Sequence, residues 1–244
     1  MSQDRIPVGS DVFGQALLDE HEVGGICEIT ERDDGYITAR PIDRYFQPYS
    51  QWPELERYAI DRCGGRVLDV GAGAGRAALE LQDRGLDVLC VDHSPAAIEV
   101  CRRRGVRHSF LGSVGDLPAQ STMFSSVLVL GGTLGFLGSP AAATQFLTTT
   151  AAFTAPGARL FGLGTDPYVS SDDAHQRYYE RNLREGRLGG QLHLRLRHRA
   201  TTTAWFDFWM ATIDELEAVV ASTPWTLESV QREGARYLVV LARQ

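Results

Sequence analysis

From residue 66 to residue 163, short apolar runs alternate with segments in which apolar residues recur at helical spacing. The runs are bounded by glycine, proline and polar residues, which is typical of buried strands. We predict strands at 66–70, 86–91, 106–111, 123–130 and 158–163, and helices at 75–84, 94–104 and 139–154. Alternating strands and helices are typical of a parallel sheet that is covered by helices on both faces.

The end of the chain has a different pattern, in which a helix at 214–221 precedes two strands at 225–231 and 235–242. Only a short turn containing Glu233 and Gly234 separates the two strands. A parallel crossover needs a dozen or more residues, so these strands must pair antiparallel. The core sheet is therefore expected to be mostly parallel, with an antiparallel last strand.

Two segments fall outside this alternation, residues 1–60 and residues 165–210. The first contains a predicted helix at 11–21, a hairpin at 26–36 and an aromatic run that includes Tyr45, Phe46 and Trp52. The second contains a strand at 192–198, where apolar and basic residues alternate as in half-buried antiparallel strands, and a second, aromatic strand at 204–210. We predict a lid and substrate segment at 1–60 and a core at 61–244 with a lid insertion at 165–210.

The most informative motif is the glycine-rich stretch at 67–76, which follows the first core strand and opens a helix. Glycines suit such a turn because it visits positive φ and lets a ligand approach the backbone closely. The dinucleotide fingerprint requires a small residue where Arg76 stands. Asp69 would repel a pyrophosphate, whereas it would suit a ligand that carries an ammonium group.

Composition and charge favour a small-molecule partner. The 244 residues carry a net charge of −7, so no basic stripe supplies the counterion release that drives nucleic-acid binding. No apolar run approaches the roughly 20 residues that span a bilayer, and the N-terminus shows no secretory signal. The four cysteines and six histidines have no metal-ligand spacing. We predict a cytoplasmic protein without a metal site, and the oligomeric state is not indicated.

The glycine stretch, with its leading acid and its flanking strand and helix, resembles the first motif of the class I S-adenosylmethionine-dependent methyltransferases. The antiparallel strand pair at the C-terminus is also expected of that superfamily. The resemblance covers residues 66–164 and, by topology, 212–244. It implies an α/β fold with a seven-stranded, mostly parallel Rossmann-like sheet, an antiparallel last strand, and N-terminal and inserted lid segments.

The same resemblance implies a set of residues that bind S-adenosylmethionine. The glycine turn would hold the methionine half, Asp92 the ribose hydroxyls, and His93 the adenine edge. The implied cofactor-binding residues are Asp69, Gly71, Ala72, Gly73, Asp92, His93, Ser113, Val114, Leu130 and Gly131. Ser113 stands where the superfamily usually has an adenine-binding acid, so either its hydroxyl or the carboxylate of Asp116 would take that role.

The resemblance predicts an enzyme that transfers a methyl group from S-adenosylmethionine to an O, N or C atom of a small molecule by in-line displacement. A base is required only where the acceptor must first lose a proton. His175, with Tyr178 one helical turn away, is the candidate catalytic pair. The alternative is a catalytically silent S-adenosylmethionine- or nucleotide-binding regulatory or scaffold protein, and a nicotinamide-dependent oxidoreductase is a third hypothesis.

Overall fold

Two β-sheets organise the part of the chain that the computed structural model describes, residues 11–119 and 123–244. The strands are β1 Cys27–Arg32, β2 Ile37–Pro41, β3 Val67–Val70, β4 Val88–Asp92, β5 His108–Leu111, β6 Phe124–Val129, β7 Thr154–Thr165, β8 Gln191–His198, β9 Thr201–Thr202, β10 Phe206–Trp209, β11 Trp225–Glu233 and β12 Arg236–Arg243. The helices are α1 Val12–Glu22, α2 Glu54–Arg62, α3 Arg76–Asp83, α4 Pro95–Arg104, α5 Pro140–Ala151, α6 Asp173–Arg184 and α7 Ile213–Val220.

The larger sheet has seven strands in the order β11-β12-β7-β6-β3-β4-β5. The pairs from β7 to β5 are parallel, and β12 lies antiparallel between β7 and β11. This arrangement confirms the predicted α/β fold, with a mostly parallel sheet and an antiparallel last strand. The short turn after β11 forces that orientation, as the sequence indicated.

The helices of this core begin and end at the residues that the sequence marks. Ser94 caps α4, since its hydroxyl accepts a hydrogen bond from the backbone N–H of Ala97 at 2.9 Å and Pro95 takes the first helical position. Gly105 follows the last residue of that helix in the left-handed conformation, with φ +95°. Gly85, which comes after the C-cap residue Arg84 of α3, also has a left-handed backbone.

Among the core elements, the largest difference from the predicted boundaries lies between α5 and β7. Helix α5 ends at Ala151, and β7 begins at Thr154 and runs through Pro156. Thr154 pairs with Phe124, and the ladder then shifts register before Arg159 pairs with Ser126. An irregularity of this kind accommodates a proline, which has no N–H to donate to the ladder.

The second sheet joins the two segments outside the core. Its order is β10-β8-β1-β2, with β9 paired to β8, and all of its pairs are antiparallel. The pairing of β1 with β8 places Thr30 opposite Leu196 and Arg32 opposite Leu194. We call these strands the lid sheet. The sequence predicted several of the strands but not their union in one sheet.

Helix α1 fixes the N-terminal part of the described chain to the core. The buried Asp11 accepts a hydrogen bond from the backbone N–H of Gly14 at the start of α1. It also accepts from the Ser94 hydroxyl and the Ala96 N–H, each at 2.9 Å. One carboxylate therefore caps two helices. Residues 1–10 of the predicted N-terminal segment lie outside the described residues.

Within residues 11–119 and 123–244, no helix combines the length and apolar character that a bilayer crossing requires.

Candidate functional site

A cavity of about 520 Å³ lies between the core and the lid sheet. On the core side it is lined by the glycine turn, residues 71–74, and by residues 130–133, which follow β6. The inner faces of β1, β2, β8 and β10 line the opposite side. The cavity therefore opens at the carboxyl ends of the parallel strands, where open α/β sheets usually bind ligands.

The glycine turn adopts a backbone that other residues rarely take. The φ angles of Gly71, Gly73 and Gly75 are +68°, +55° and +73°. A Cβ atom on Gly71 would lie 2.7 Å from the hydroxyl oxygen of Thr133. The first glycine is thus required both by backbone conformation and by close packing against the segment after β6.

Asp69, at the base of this turn, is a buried acid that lines the cavity and is only 3% exposed. In the described residues its carboxylate forms no ion pair and accepts one weak hydrogen bond, from the Cys90 thiol at 3.9 Å. Burial and, to a smaller extent, the negative charge of Asp92 raise the pKa of Asp69 to about 7. Such a carboxyl group suits a cationic ligand group that can neutralise it.

Asp92 supports the glycine turn from below. Its two oxygens accept hydrogen bonds from the backbone N–H groups of Gly73 and Ser94, each at 2.9 Å. Asp92, His93, Ser113 and Val114 are not among the described residues that line the cavity. An ionised carboxylate has about four acceptor sites, so the predicted contact with ribose hydroxyls remains compatible with these two bonds and stays a prediction.

The loop after β5 uses its acid locally. One carboxylate oxygen of Asp116 accepts hydrogen bonds from the backbone N–H of Ser113 at 2.8 Å and from its hydroxyl at 2.7 Å. Both residues are exposed. The alternative adenine partners that the sequence left open, Ser113 and Asp116, are therefore bonded to each other.

Aromatic residues of the N-terminal segment lie above the glycine turn. Tyr45 and Trp52 line the cavity, whereas Phe46 does not appear among its described lining residues. The Arg76 guanidinium lies over the Trp52 ring, 4.5 Å from its centroid. Arg76 also forms an ion pair with the buried Glu56. Arg76, whose size argued against a dinucleotide, thus fixes the start of α3 to α2.

His175 lies on α6 at the cavity wall, as a candidate catalytic residue would. Its Nδ1 atom is 2.9 Å from Nη1 of Arg32, which also forms an ion pair with Asp34. An arginine is always a donor, so Nδ1 must be the acceptor and the ring proton must sit on Nε2. Burial lowers the pKa of His175, and the charge of Arg32 lowers it further.

Tyr178 has a different environment from its predicted partner. It is 2% exposed and is not among the described lining residues of the cavity. Its hydroxyl accepts a hydrogen bond from the His193 N–H at 3.2 Å, and the Arg32 guanidinium lies over its ring at 4.2 Å. Tyr179, which the sequence did not single out, lines the cavity instead and stacks on His175 at 6.2 Å.

Of the predicted cofactor-binding residues, six line the cavity together: Asp69, Gly71, Ala72, Gly73, Leu130 and Gly131. Sequence reasoning missed Arg32, Arg40 and Glu28, which lie on the lid sheet and also line it. Their alternation along β1 and β2 was visible in the sequence. Nothing in that alternation indicated that their shared face meets the glycine turn.

A family model and several curated proteins match parts of this chain. A family model described as a methyltransferase domain matches residues 67–157. The magnesium-protoporphyrin O-methyltransferase of Rhodobacter capsulatus is 44% identical over 78 residues, which are 32% of this chain and 35% of that protein. The ubiquinone biosynthesis O-methyltransferase of Xanthomonas oryzae pv. oryzae is 30% identical over 107 residues, 42% of this chain and 44% of that protein. The chain therefore spans less than half the length of these curated relatives.

A solved structure resembles nearly the whole chain. It is a S-adenosylmethionine-dependent methyltransferase from Bacteroides fragilis in complex with S-adenosyl-L-homocysteine. It is 24% identical, has a TM-score of 0.83 and is matched over 98% of both chains.

The parallel sheet, its antiparallel last strand and the glycine turn after β3 define a Rossmann-like methyltransferase fold. The methyltransferase-domain model matches residues 67–157, which include the motif at 67–76, and the chain shares its fold with the Bacteroides fragilis methyltransferase structure.

Proposed function

We propose that this protein is an enzyme that transfers a methyl group from S-adenosylmethionine to an O, N or C atom of a small molecule. The observation that carries the proposal is the buried Asp69, which meets the cavity without an ionic partner in residues 11–119 and 123–244. A methionine moiety brings an ammonium group, which would neutralise this carboxylate. The close approach of Gly71 to Thr133 supports the same fit, because the turn leaves no room for a side chain.

The residues that would hold the cofactor are Asp69, the turn residues Gly71, Ala72 and Gly73, and Leu130 with Gly131. Bound S-adenosylmethionine supplies a methyl group that its sulfonium already activates. The protein must then bind, orient and exclude water, which are tasks of alignment. The turn fixes the donor side of the cavity, and the lid sheet covers the acceptor side.

The cavity's enclosure between two sheets supports a small acceptor rather than nucleic acid, as does the net charge of −7. The two curated relatives are named for methyl transfer to oxygen in small molecules. We also propose that residues 1–60 and 165–210 act as a lid on a core at 61–244. The catalytic roles of His175 and Tyr178 and a cytoplasmic location stay predictions.

Calorimetric titration with S-adenosylmethionine tests the proposed role of Asp69. At pH 6 the Asp69 carboxyl is mostly protonated, because its pKa is about 7. Pairing with an ammonium group requires the ionised form, so binding should release about one proton. Titrations at pH 6 in two buffers of different ionisation enthalpy measure that release.

The variant Asp69→Asn should bind S-adenosylmethionine about tenfold more weakly and release no proton. Asp83→Asn, an exposed acid on α3, is the matched control and should behave like the native protein. Unchanged affinity and unchanged proton release in Asp69→Asn would show that the site assignment is wrong. Formation of S-adenosylhomocysteine with added acceptors then separates an enzyme from a silent binding protein.

A further inference from the structure

The inner face of the lid sheet changes from charged to apolar across its width. On the outer strand β2 and on β1, alternate residues such as Thr38, Arg40 and Arg32 line the cavity. On β8 and β10 the lining residues are leucine and phenylalanine. Adjacent strands are about 4.8 Å apart, so the charged and apolar columns are separated by only one or two strand spacings.

The apolar side of this face is continuous. Leu192, Leu194 and Leu196 stand in one column on β8, because alternate residues of a strand share a face. Phe206 and Phe208 lie beside them on β10, where they pair with Leu194 and Leu192. These side chains offer a flat apolar surface that a ring or an aliphatic body would cover.

Most arginines that line the cavity are already neutralised. Arg32 is paired with Asp34, and Arg44 is paired with Glu28. Arg40 differs, because it lines the cavity and forms no ion pair or hydrogen bond with any residue in the described parts of the chain. Arg40 and His175 line the same cavity, and the charge of Arg40 contributes to the lowered pKa of that imidazole.

His175 adds a neutral donor near this charge. Because Arg32 donates to Nδ1, the Nε2 atom carries the ring proton and has no partner among residues 11–119 and 123–244. The tautomer that Arg32 fixes can donate a hydrogen bond, but its Nδ1 lone pair is not free to accept a proton. The environment therefore favours recognition of an acceptor oxygen over general-base catalysis.

We propose, on the basis of the methyltransferase function proposed above, that the methyl acceptor is an apolar molecule that carries one carboxylate. The carboxylate pairs with Arg40 and accepts a hydrogen bond from Nε2–H of His175. The apolar body lies on Leu192, Leu194 and Leu196. Arg32 is a positioning residue, which holds the His175 ring and its tautomer.

The local charges favour a monoanion over a phosphate dianion. Arg40 supplies a positive charge that forms no ion pair in the described residues, because Glu28, which stands opposite it on β1, is paired with Arg44. His175 supplies a neutral donor. Asp166, at the end of β7, also lines the cavity, where its carboxylate accepts a hydrogen bond from the Tyr168 N–H at 3.0 Å. A second negative charge on the ligand would meet this acid without a further free cation to balance it.

Matched pairs of probes test the acceptor class. Substituted benzoates and medium-chain fatty acids are titrated into the native protein without cofactor. The affinity of each carboxylate, measured by calorimetry, is compared with that of its primary amide. We expect at least one carboxylate in this panel to bind about fivefold or more tightly than its amide. If no carboxylate binds more tightly than its amide, the proposal is wrong.

Variants locate that preference. Arg40→Gln should abolish the preference for carboxylate over amide, and Arg40→Lys should retain part of it. Arg177→Gln removes the same charge from an exposed residue of α6 that does not line the cavity, and it should bind like the native protein. If Arg40→Gln and Arg177→Gln lose the carboxylate preference equally, the proposal is wrong, because the preference would then depend only on net charge.

His175 variants distinguish a donor from a base. A glutamine amide can place an N–H near the position of Nε2, so His175→Gln should keep most of the affinity for the carboxylate probe. His175→Phe has no such donor and should bind the same probe about tenfold more weakly. If the enzyme methylates one of the carboxylate-bearing probes, His175→Gln should raise KM for that probe and leave kcat within about threefold of the native value. A large fall in kcat at unchanged KM would show that His175 acts as a base instead.

The two proposals fail in different measurements. S-adenosylmethionine affinity in Arg40→Gln should equal that of the native protein, because Arg40 lies on the lid sheet and away from the glycine turn. Absence of cofactor binding in the native protein would refute the methyltransferase function, and a measured carboxylate preference would then describe a ligand that is not a methyl acceptor. Absence of any carboxylate preference in a protein that binds the cofactor would refute the acceptor class alone.

Discussion

Gly71 and Gly85 have the same left-handed backbone in different surroundings. Their φ angles are +68° and +83°. A Cβ on Gly71 would meet the β-branched side chain of Thr133 at 2.7 Å, whereas a Cβ on Gly85 would meet nothing within 4 Å. The two positions therefore separate the cost of backbone strain from the cost of filling the cofactor turn.

We expect Gly85→Ala to lower the free energy of unfolding by about 1 kcal/mol through backbone strain alone. Gly71→Ala should lower it by more and should also weaken S-adenosylmethionine binding at least tenfold, because Thr133 must shift into the cavity. Urea unfolding and calorimetric titration measure the two effects. Equal cofactor affinity in the two variants would contradict the tight packing of the turn.

At this scale, local features of the sequence account for part of the cavity lining. Motif spacing placed Asp69 and Gly71 at the cavity, because the end of a strand and its turn are local features. It did not predict that Arg32 would fix the tautomer of His175, since their contact joins residues far apart in the chain. Spacing along a helix also could not decide between Tyr178 and Tyr179, whose rings turn to different neighbours.

At the scale of elements, Asp11 joins two helices. Its carboxylate caps α1 through Gly14 and also binds the first turn of α4 through Ser94 and Ala96. The sequence predicted a helix at 11–21, which the structure gives as Val12–Glu22. The contact with α4 depends on the tertiary packing of α1, so helical spacing alone could not show it.

Asp11→Ala should lower the free energy of unfolding by about 2 kcal/mol or more, since it removes a helix cap and leaves buried donors of α4 unpaired. Ser139→Ala is the matched control, because Ser139 caps only α5, through the Ala142 N–H at 3.2 Å. It should cost about 1 kcal/mol or less. Urea denaturation followed by circular dichroism checks the difference, and equal losses would mean that the contact with α4 contributes little.

Strand partners were the least predictable feature at this scale. The alternation at 192–198 correctly indicated a half-buried strand, which the structure gives as Gln191–His198. Alternation specifies which face of a strand is buried but not which strand lies beside it. The pairing of β1 with β8 therefore could not be predicted from the sequence, although the local turn did predict the pairing of β11 with β12.

At the scale of the whole molecule, Glu56 connects distant parts of the chain. It is 3% exposed and forms ion pairs with Arg76 at the start of α3 and with Arg236 at the start of β12. Its own helix, α2, leads from the N-terminal segment into the core. One buried carboxylate thus links the cofactor turn, the last strand and the chain that carries the first lid strands.

Glu56→Gln should lower the free energy of unfolding by about 3 kcal/mol, because it leaves two arginines without their shared counter-charge. Glu228→Gln, which removes the partner of Arg159 at an exposed site, should cost less than about 1 kcal/mol. Chemical denaturation of both variants measures the contrast. Comparable losses would show that burial does not strengthen the Glu56 network.

The pairing of β1 with β8 also sets an order of events in folding. Residues 33–190 of the chain lie between these two strands, and they include most of the core. Closing so long a loop in an unfolded chain costs entropy that only later contacts can offset. The core must therefore collapse first and bring the two segments together. The wall of the cavity that the lid sheet forms is then the last part of the protein to acquire its shape. Under the proposed function, the site for the methyl donor would form before the surface that receives the acceptor.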